Sequence, residues 1–277
     1  MNQTWDAAPD EPFRIGVGGW ARVVVRMLAL TTILIAGVIV KSLMRIVERP
    51  LCGQKRPVTP WVTRTVCGQA LGILGLKVQT HGTPMRNAGA MVANHVSWLD
   101  IFVLNSVSNL YFVSKSEVAG WPGIGLLAKI TGTVFIARDR RHARAQTELF
   151  KERLSAGHKL VFFPEGTSTD GMRVLSFKTT LFEAFLGPEL RANLHVQPVT
   201  VIYFAPKGQP RRFYGWWGDM DFGPHLLKTL AVRRQGHVEL CYHPPVRVAD
   251  FENRKALARH LEAQVRGGMP IDRQLSE

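Results

Sequence analysis

Apolar positions are nearly continuous from Ile15 to Val40, and densest from Met27 to Val40. That dense run falls short of the ~20 residues a perpendicular bilayer span requires. Extending it back to Val23 takes in Arg26, which is then expected to snorkel to the interface. A second apolar stretch, Val58 to Leu76, sets Trp61, Val62, Val66, Ala70, Ile73 and Leu74 near helical spacing. Residues 48–57 between them hold Pro50, Gly53 and Pro57 and read as a turn-rich linker. The pair predicts either a helix that spans the bilayer or a hairpin that dips into one leaflet. Residues 1–13 are polar with acidic spots and read as a frayed tail.

From residue 77 onward the pattern changes to short β-rich runs alternating with helical ones. Strands are predicted at Leu76–Thr80, Gly89–Ala93, Leu110–Ser114, Thr133–Ala137, Lys159–Phe163, Val196–Phe204 and His237–Tyr242. Helices are predicted at 98–107, 123–130, 141–156, 177–186 and 251–266. This alternation defines the expected fold class: α/β, with a mostly parallel central sheet flanked by helices and an N-terminal apolar helical membrane anchor. The expected division is a tail and membrane-associated segment over 1–76 and an α/β domain over 77–277.

Charge adds a partner class. The 277 residues carry 35 Lys and Arg against 21 Asp and Glu, a net +14, which calls for an anionic partner such as lipid headgroups, a phosphorylated substrate or an acidic carrier protein. The basic residues are dispersed and form no nucleic-acid-binding motif, so nucleic acid is not expected. The three cysteines, Cys52, Cys67 and Cys241, stand far apart with neither metal-ligand spacing nor a disulfide framework, which favours a reducing, cytosolic face. No metal is expected.

In an open α/β sheet, sites gather at the carboxyl ends of the strands. The second predicted strand ends at Asn94-His95, and Asp100 follows five residues after the histidine. On one regular helix those two side chains would point about 140° apart. They meet if His95 sits at the strand exit and Asp100 in the first turn of the next helix, with Ser97 as its N-cap. Asp100 then orients the imidazole while the other ring nitrogen takes a proton. The fourth strand leads into Arg138-Asp139-Arg140-Arg141, and the fifth into Pro164-Glu165-Gly166-Thr167. The sixth contains Pro198, a mark of an edge or a bulge. Trp216-Trp217 reads either as a second membrane contact or as core, and Asp219 and Asp221 as loop residues. His81, His158, His195 and His243 read as structural or exposed.

Four blocks occur in order: NHVSWLD (94–100), GTVFIARDR (132–140), FPEGTSTDG (163–171) and VQPVT (196–200). Together they resemble the blocks of the glycerolipid acyltransferase family, above all its bacterial 1-acyl-sn-glycerol-3-phosphate (lysophosphatidate) acyltransferases. The resemblance covers about residues 90–204 and includes the family's His-X4-Asp motif.

This resemblance implies transfer of a fatty acyl group from a thioester to a free hydroxyl of a lysolipid, by direct attack and without an acyl-enzyme. It assigns His95 as the base and Asp100 as its orienting carboxylate. Arg138 matches the position that handles the acceptor's phosphate, and Lys115 and Lys178 are further candidates to bind an anion. Glu165, Gly166 and Thr167 are expected to organise a loop against the acceptor, with backbone N–H groups steadying the oxyanion. VQPVT is expected to be structural. Acyl-CoA or acyl carrier protein is the implied co-substrate, with no bound cofactor, and the cytoplasmic face of the inner membrane is the implied location. The leading expectation is lysophosphatidate acylation in phospholipid biosynthesis. One departure keeps an alternative open: many family members have Arg after Glu-Gly-Thr, whereas here Ser168 stands there. Either Lys178 or Arg173 replaces that cation, or the acceptor is lyso-ornithine lipid, which has no phosphate.

Overall fold

The centre of the molecule is β2 (Gly89–Ala93), whose residues are all buried. A strand covered on both faces reads as a continuous apolar run, and Gly-Ala-Met-Val-Ala is one. In this computed structural model, which describes residues 5–7, 13–121, 123–136 and 143–275, β2 pairs in parallel with β5 (Lys159–Phe162) and with β6 (His195–Phe204). β5 continues to β3 (Tyr111–Lys115) and β3 to β4 (Val134–Ile136), again in parallel. On the other side β7 (His237–Tyr242) runs antiparallel to β6 and joins β1 (Lys77–His81) in parallel. Among the described residues the sheet has eight strands, β8 (Val246–Arg247) adding to β6. The order β1-β7-β6-β2-β5-β3-β4 is the mostly parallel sheet the sequence predicts. Pro198 lies between the β6 residues that pair β8 and those that pair β7, so its missing N–H falls where the ladder changes partner.

Helices cover both faces: α3 (Asp100–Val107), α4 (Ile124–Thr131), α5 (Ala143–Ser155), the one-turn α6 (Pro188–Arg191), α7 (Phe222–Ala231) and α8 (Arg254–Gly267). One apolar cluster joins α2, α3 and α7 to the sheet through Met91, Leu99, Val103 and Leu240, and a second joins α5 and α8 through Leu160, Phe162, Leu257 and Leu261. Asn253 caps α8, its side chain accepting from the N–H groups of Lys255 and Ala256 at 3.0 Å each. The structure departs from expectation at several elements, α6 and β8 among those not predicted. The helix predicted at 177–186 is a 3₁₀ segment, Thr179–Leu186, and α7 was not predicted. Gly223-Pro224 resembles a turn, yet proline in a first helical turn removes only an N–H that has no helical partner.

The N-terminal apolar stretches form an antiparallel hairpin of α1 (Val17–Cys52, 36 residues) and α2 (Thr59–Leu74). By length and composition α1 can cross a membrane, and only 11% of its most apolar window is buried in the protein. Three expectations need correction. The linker does not begin at residue 48: α1 continues to Cys52, and the buried Glu48 carboxylate accepts from the N–H groups of Val58 and Thr59, at 2.8 and 3.1 Å, and from the Thr59 hydroxyl at 2.6 Å. It satisfies donors that start α2. Arg26 does not snorkel: its guanidinium donates to the carbonyls of Leu230 and Val232 at 2.7 and 2.6 Å, and Arg22 donates to Ala231 O at 2.7 Å. Cations there complement the C-terminus of α7. Residues 5–7 are docked rather than frayed, because Trp217 Nε1 donates to Ala7 O at 2.9 Å and the Trp5 and Trp217 rings lie 6.1 Å apart.

Candidate active site

β2 ends at Ala93, a loop follows, and Asp100 opens α3, so the strand-exit and first-turn arrangement derived for this pair is the one observed. His95 Nδ1 lies 2.7 Å from Asp100 Oδ2. The same oxygen accepts from the N–H groups of Val96 and Ser97 at 2.8 and 3.1 Å. A carboxylate only accepts, so Nδ1 carries the proton and Nε2 is left with its lone pair. Ser97 is not the N-cap: Leu99 holds that position, and the Ser97 hydroxyl is buried without a hydrogen-bond partner among the described residues. Asp100 itself gathers the loop amides, which leaves the serine hydroxyl nothing to cap.

His95 keeps 21% of its side chain exposed while Asp100 is fully buried. The imidazole stacks on Phe163 with ring centres 4.1 Å apart, which fixes its plane. Asn94 sets the backbone beneath it, donating to Val201 O at 2.9 Å and accepting from Val201 N at 2.8 Å, as a further rung between β2 and β6. Trp98 Nε1 donates to His225 Nδ1 at 2.9 Å, and His225 Nε2 meets Gly215 O at 2.9 Å. Burial holds the His225 imidazole down to about 3, with Lys228 adding to the shift, so it is neutral and accepts from the tryptophan.

Glu165 lies behind His95 and not beside it. Its carboxylate accepts from His95 N–H at 2.7 Å and from Leu175 N–H at 2.9 Å, and it is 1% exposed. Burial pushes it up to about 8 against those two donors, with Asp100 pushing the same way. Gly166 turns away with φ 72°, and a Cβ there would lie 2.7 Å from Lys178 Nζ. Lys115 Nζ donates to Gly166 O at 2.8 Å. Two ammonium groups therefore converge on one glycine of the loop after β5. The Ser168 hydroxyl donates to Trp216 O.

A cavity of ≈ 2100 Å³ opens from this point, mainly apolar, between α1, α2, α4 and the carboxyl ends of the strands. His95, Lys115, Gly166, Thr167 and Lys178 line it, as do Met27 and Leu34 of α1. Asp100 and Glu165 do not reach it. Arg138 lies outside the described residues. Arg173 is held elsewhere, paired with Asp170 at 3.3 Å with its guanidinium 4.9 Å over the Trp5 ring. Both tryptophans border the cavity, and Trp217, 2% exposed, is a core residue at its wall rather than a membrane contact. No group of three or more acidic, histidine or cysteine side chains able to hold a metal ion occurs among the described residues. The residues 196–200 lie in the sheet and do not line the cavity.

An accessible imidazole backed by a buried carboxylate, at the mouth of a long apolar chamber, is suited to removing a hydroxyl proton beside an acyl chain. Comparison with known proteins names the family. The acyltransferase family model matches residues 77–202, and the chain belongs to the acyltransferase family. It is 53% identical over 261 residues to a lyso-ornithine lipid O-acyltransferase of Rhodobacter capsulatus, covering 94% of each chain. It is 29% identical to a 1-acyl-sn-glycerol-3-phosphate acyltransferase of Neisseria gonorrhoeae, over 72% of this chain and 76% of that one. The crystal structure of the 1-acyl-sn-glycerophosphate acyltransferase of Thermotoga maritima superposes with a TM-score of 0.63 at 22% identity, over 90% of this chain and 95% of that one, a likeness of fold.

Proposed function

We propose that this acyltransferase moves a fatty acyl group from a thioester to the free hydroxyl of lyso-ornithine lipid. The observation that carries the choice of acceptor is the 53% identity, over nearly the whole chain, to a relative of that name. Ser168 supports it: an acceptor without phosphate does not call for the arginine that many relatives have at this position. The order of acceptors argued from the blocks alone is thereby reversed, and lysophosphatidate becomes the second reading, supported by the more distant Neisseria relative.

His95 Nε2 takes the proton of the acceptor hydroxyl as its oxygen attacks the thioester carbonyl. The tetrahedral intermediate places its negative charge near the loop Glu165–Thr167, where backbone N–H groups stabilise it. The C–S bond then breaks, and the proton held on His95 passes to the departing thiolate. Lys115 and Lys178 are point charges suited to the headgroup carboxylate that ornithine keeps when its α-nitrogen is acylated. Arg138 serves the same end of the acceptor. The donor is acyl-CoA or acyl carrier protein. The enzyme works on a membrane, at its cytoplasmic face, held by the apolar surface of α1.

The test is acyl transfer by purified protein offered lyso-ornithine lipid and lysophosphatidate in parallel. Ester formation is expected to be faster on lyso-ornithine lipid. Preferential turnover of lysophosphatidate would overturn the choice of acceptor and leave the chemistry standing.

A further inference from the structure

The Asp100 carboxylate has two oxygens with different tasks. Oδ2 receives His95 Nδ1–H and two backbone N–H groups. Oδ1 points the other way, into the sheet, where the Tyr203 hydroxyl of β6 donates to it at 2.7 Å. Among the described residues this is the one hydrogen bond to Oδ1. Tyr203 is itself firmly placed. Its ring packs 5.4 Å from Tyr214, and the Arg273 guanidinium donates to its carbonyl oxygen. It lies beyond the VQPVT block, within the same strand.

We infer that Tyr203 is a positioning residue for acyl transfer, its hydroxyl setting both the orientation of Asp100 and the basicity of His95. A buried carboxylate with an empty oxygen would concentrate its charge on Oδ2 and grip the imidazolium more tightly. The phenol draws charge toward Oδ1 and so loosens that grip on the imidazolium. Burial, with Asp100 beside it, raises the phenol well above its ordinary range, so it remains a donor at every working pH. The other ionisable groups around the pair are Glu165 behind His95, Lys115 and Lys178 along the cavity wall, and Tyr214 behind Tyr203. None of these donates to Asp100.

The inference rests on His95 acting as the base, and the experiment separates the two. In purified Tyr203→Phe, the acid limb of the kcat/KM profile is expected to move to higher pH by about half a unit or more. The KM for the lysolipid is expected to stay within about twofold, because the tyrosine does not line the cavity. Placing 3,5-difluorotyrosine at position 203 keeps the shape and makes the phenol a stronger donor, so the limb is expected to move to lower pH. This second protein decides the matter if Tyr203→Phe does not fold. An acid limb unmoved in the difluoro protein, or a loss of rate at an unchanged midpoint in Tyr203→Phe, overturns the inference and marks Tyr203 as packing alone. His95→Ala is the control. Turnover in that variant defeats the base itself, whereas a dead His95→Ala with unmoved midpoints defeats only the role of Tyr203.

Discussion

The two ends of the sheet carry polar clusters of opposite construction. At the carboxyl ends, His95, Asp100 and Glu165 are joined by short hydrogen bonds to each other or to backbone amides, and Tyr203 closes the far side. At the amino ends, Tyr111 opens β3, and against its ring lie His158 at 4.2 Å and the guanidinium groups of Arg153 at 4.5 Å and Arg56 at 5.6 Å. There Arg56 Nε, Arg153 Nε, the Tyr111 hydroxyl and both His158 ring nitrogens are buried without a hydrogen-bond partner among the described residues. The second cluster is held by stacking and by cation–π contact, with one anchor from Arg153 to Gly132 O at 2.7 Å. Burial and the neighbouring Arg153 and Arg56 hold its histidine down to about 4. Two histidines at opposite ends of neighbouring strands thus differ in use. One is satisfied on one nitrogen and open on the other, which suits proton transfer. The other is closed on both sides and serves as a flat, neutral plate.

The comparison breaks most sharply at His95. His95→Ala is expected to lower kcat/KM by about 10³-fold or more in an acyl-transfer assay, with an unchanged circular dichroism spectrum. Asp100→Asn keeps the shape but can turn the imidazole to the wrong tautomer, and a loss of about 10²–10³-fold in kcat is expected. Glu165→Gln comes next. Its amide must oppose one of two N–H donors, which is expected to cost about 1–3 kcal/mol in urea unfolding.

Glu165 also has a pH signature. Its folded value of about 8 exceeds the ordinary 4.5 because it is buried. A carboxyl raised in this way binds its proton more tightly folded than unfolded, so stability is fully present below about 4.5 and is lost as pH rises through about 8. The melting temperature is therefore expected to fall between pH 5 and pH 9 more steeply in the wild type than in Glu165→Gln. Parallel slopes would show that Glu165 is not the cause.

The smallest effect is expected at the other end of the sheet. His158→Phe replaces two unpartnered nitrogens with apolar edges of similar shape, and stability within about 1 kcal/mol of wild type, or slightly above it, is expected with unchanged kcat. A large loss of either would mean that the amino-end cluster does more than pack.

Much of the fold was legible because its signals are local. β2 is a short apolar run ending at a histidine, and the pairing of His95 with Asp100 followed from five residues of spacing and a strand-to-helix junction. What escaped depends on contacts distant in sequence. Asn94 binds Val201, Glu48 feeds the start of α2, and Tyr203 meets Asp100 across 103 positions. Nothing near a tyrosine in a β-branched strand announces that its hydroxyl will find a buried aspartate. Arg26 was misread for the same reason: an arginine in an apolar helix suggests an interface until the C-terminus of α7 is placed against it. The acceptor was legible only as a question at Ser168. Its side chain binds Trp216 O, a contact 48 positions away in sequence.

The docking of Arg22 and Arg26 onto the end of α7 bears on how hybrids of this enzyme should be built. α1 supplies Met27, Leu30 and Leu34 to the chamber wall, and the two arginines set the angle at which that wall stands. A foreign anchor of equal hydropathy can tether the remaining chain to a bilayer but cannot restore the missing side of the chamber. Transplanting α1 together with α2 and α7 carries over the wall and the Arg22, Arg26 and Glu48 contacts that hold it, whereas exchanging α1 alone breaks them.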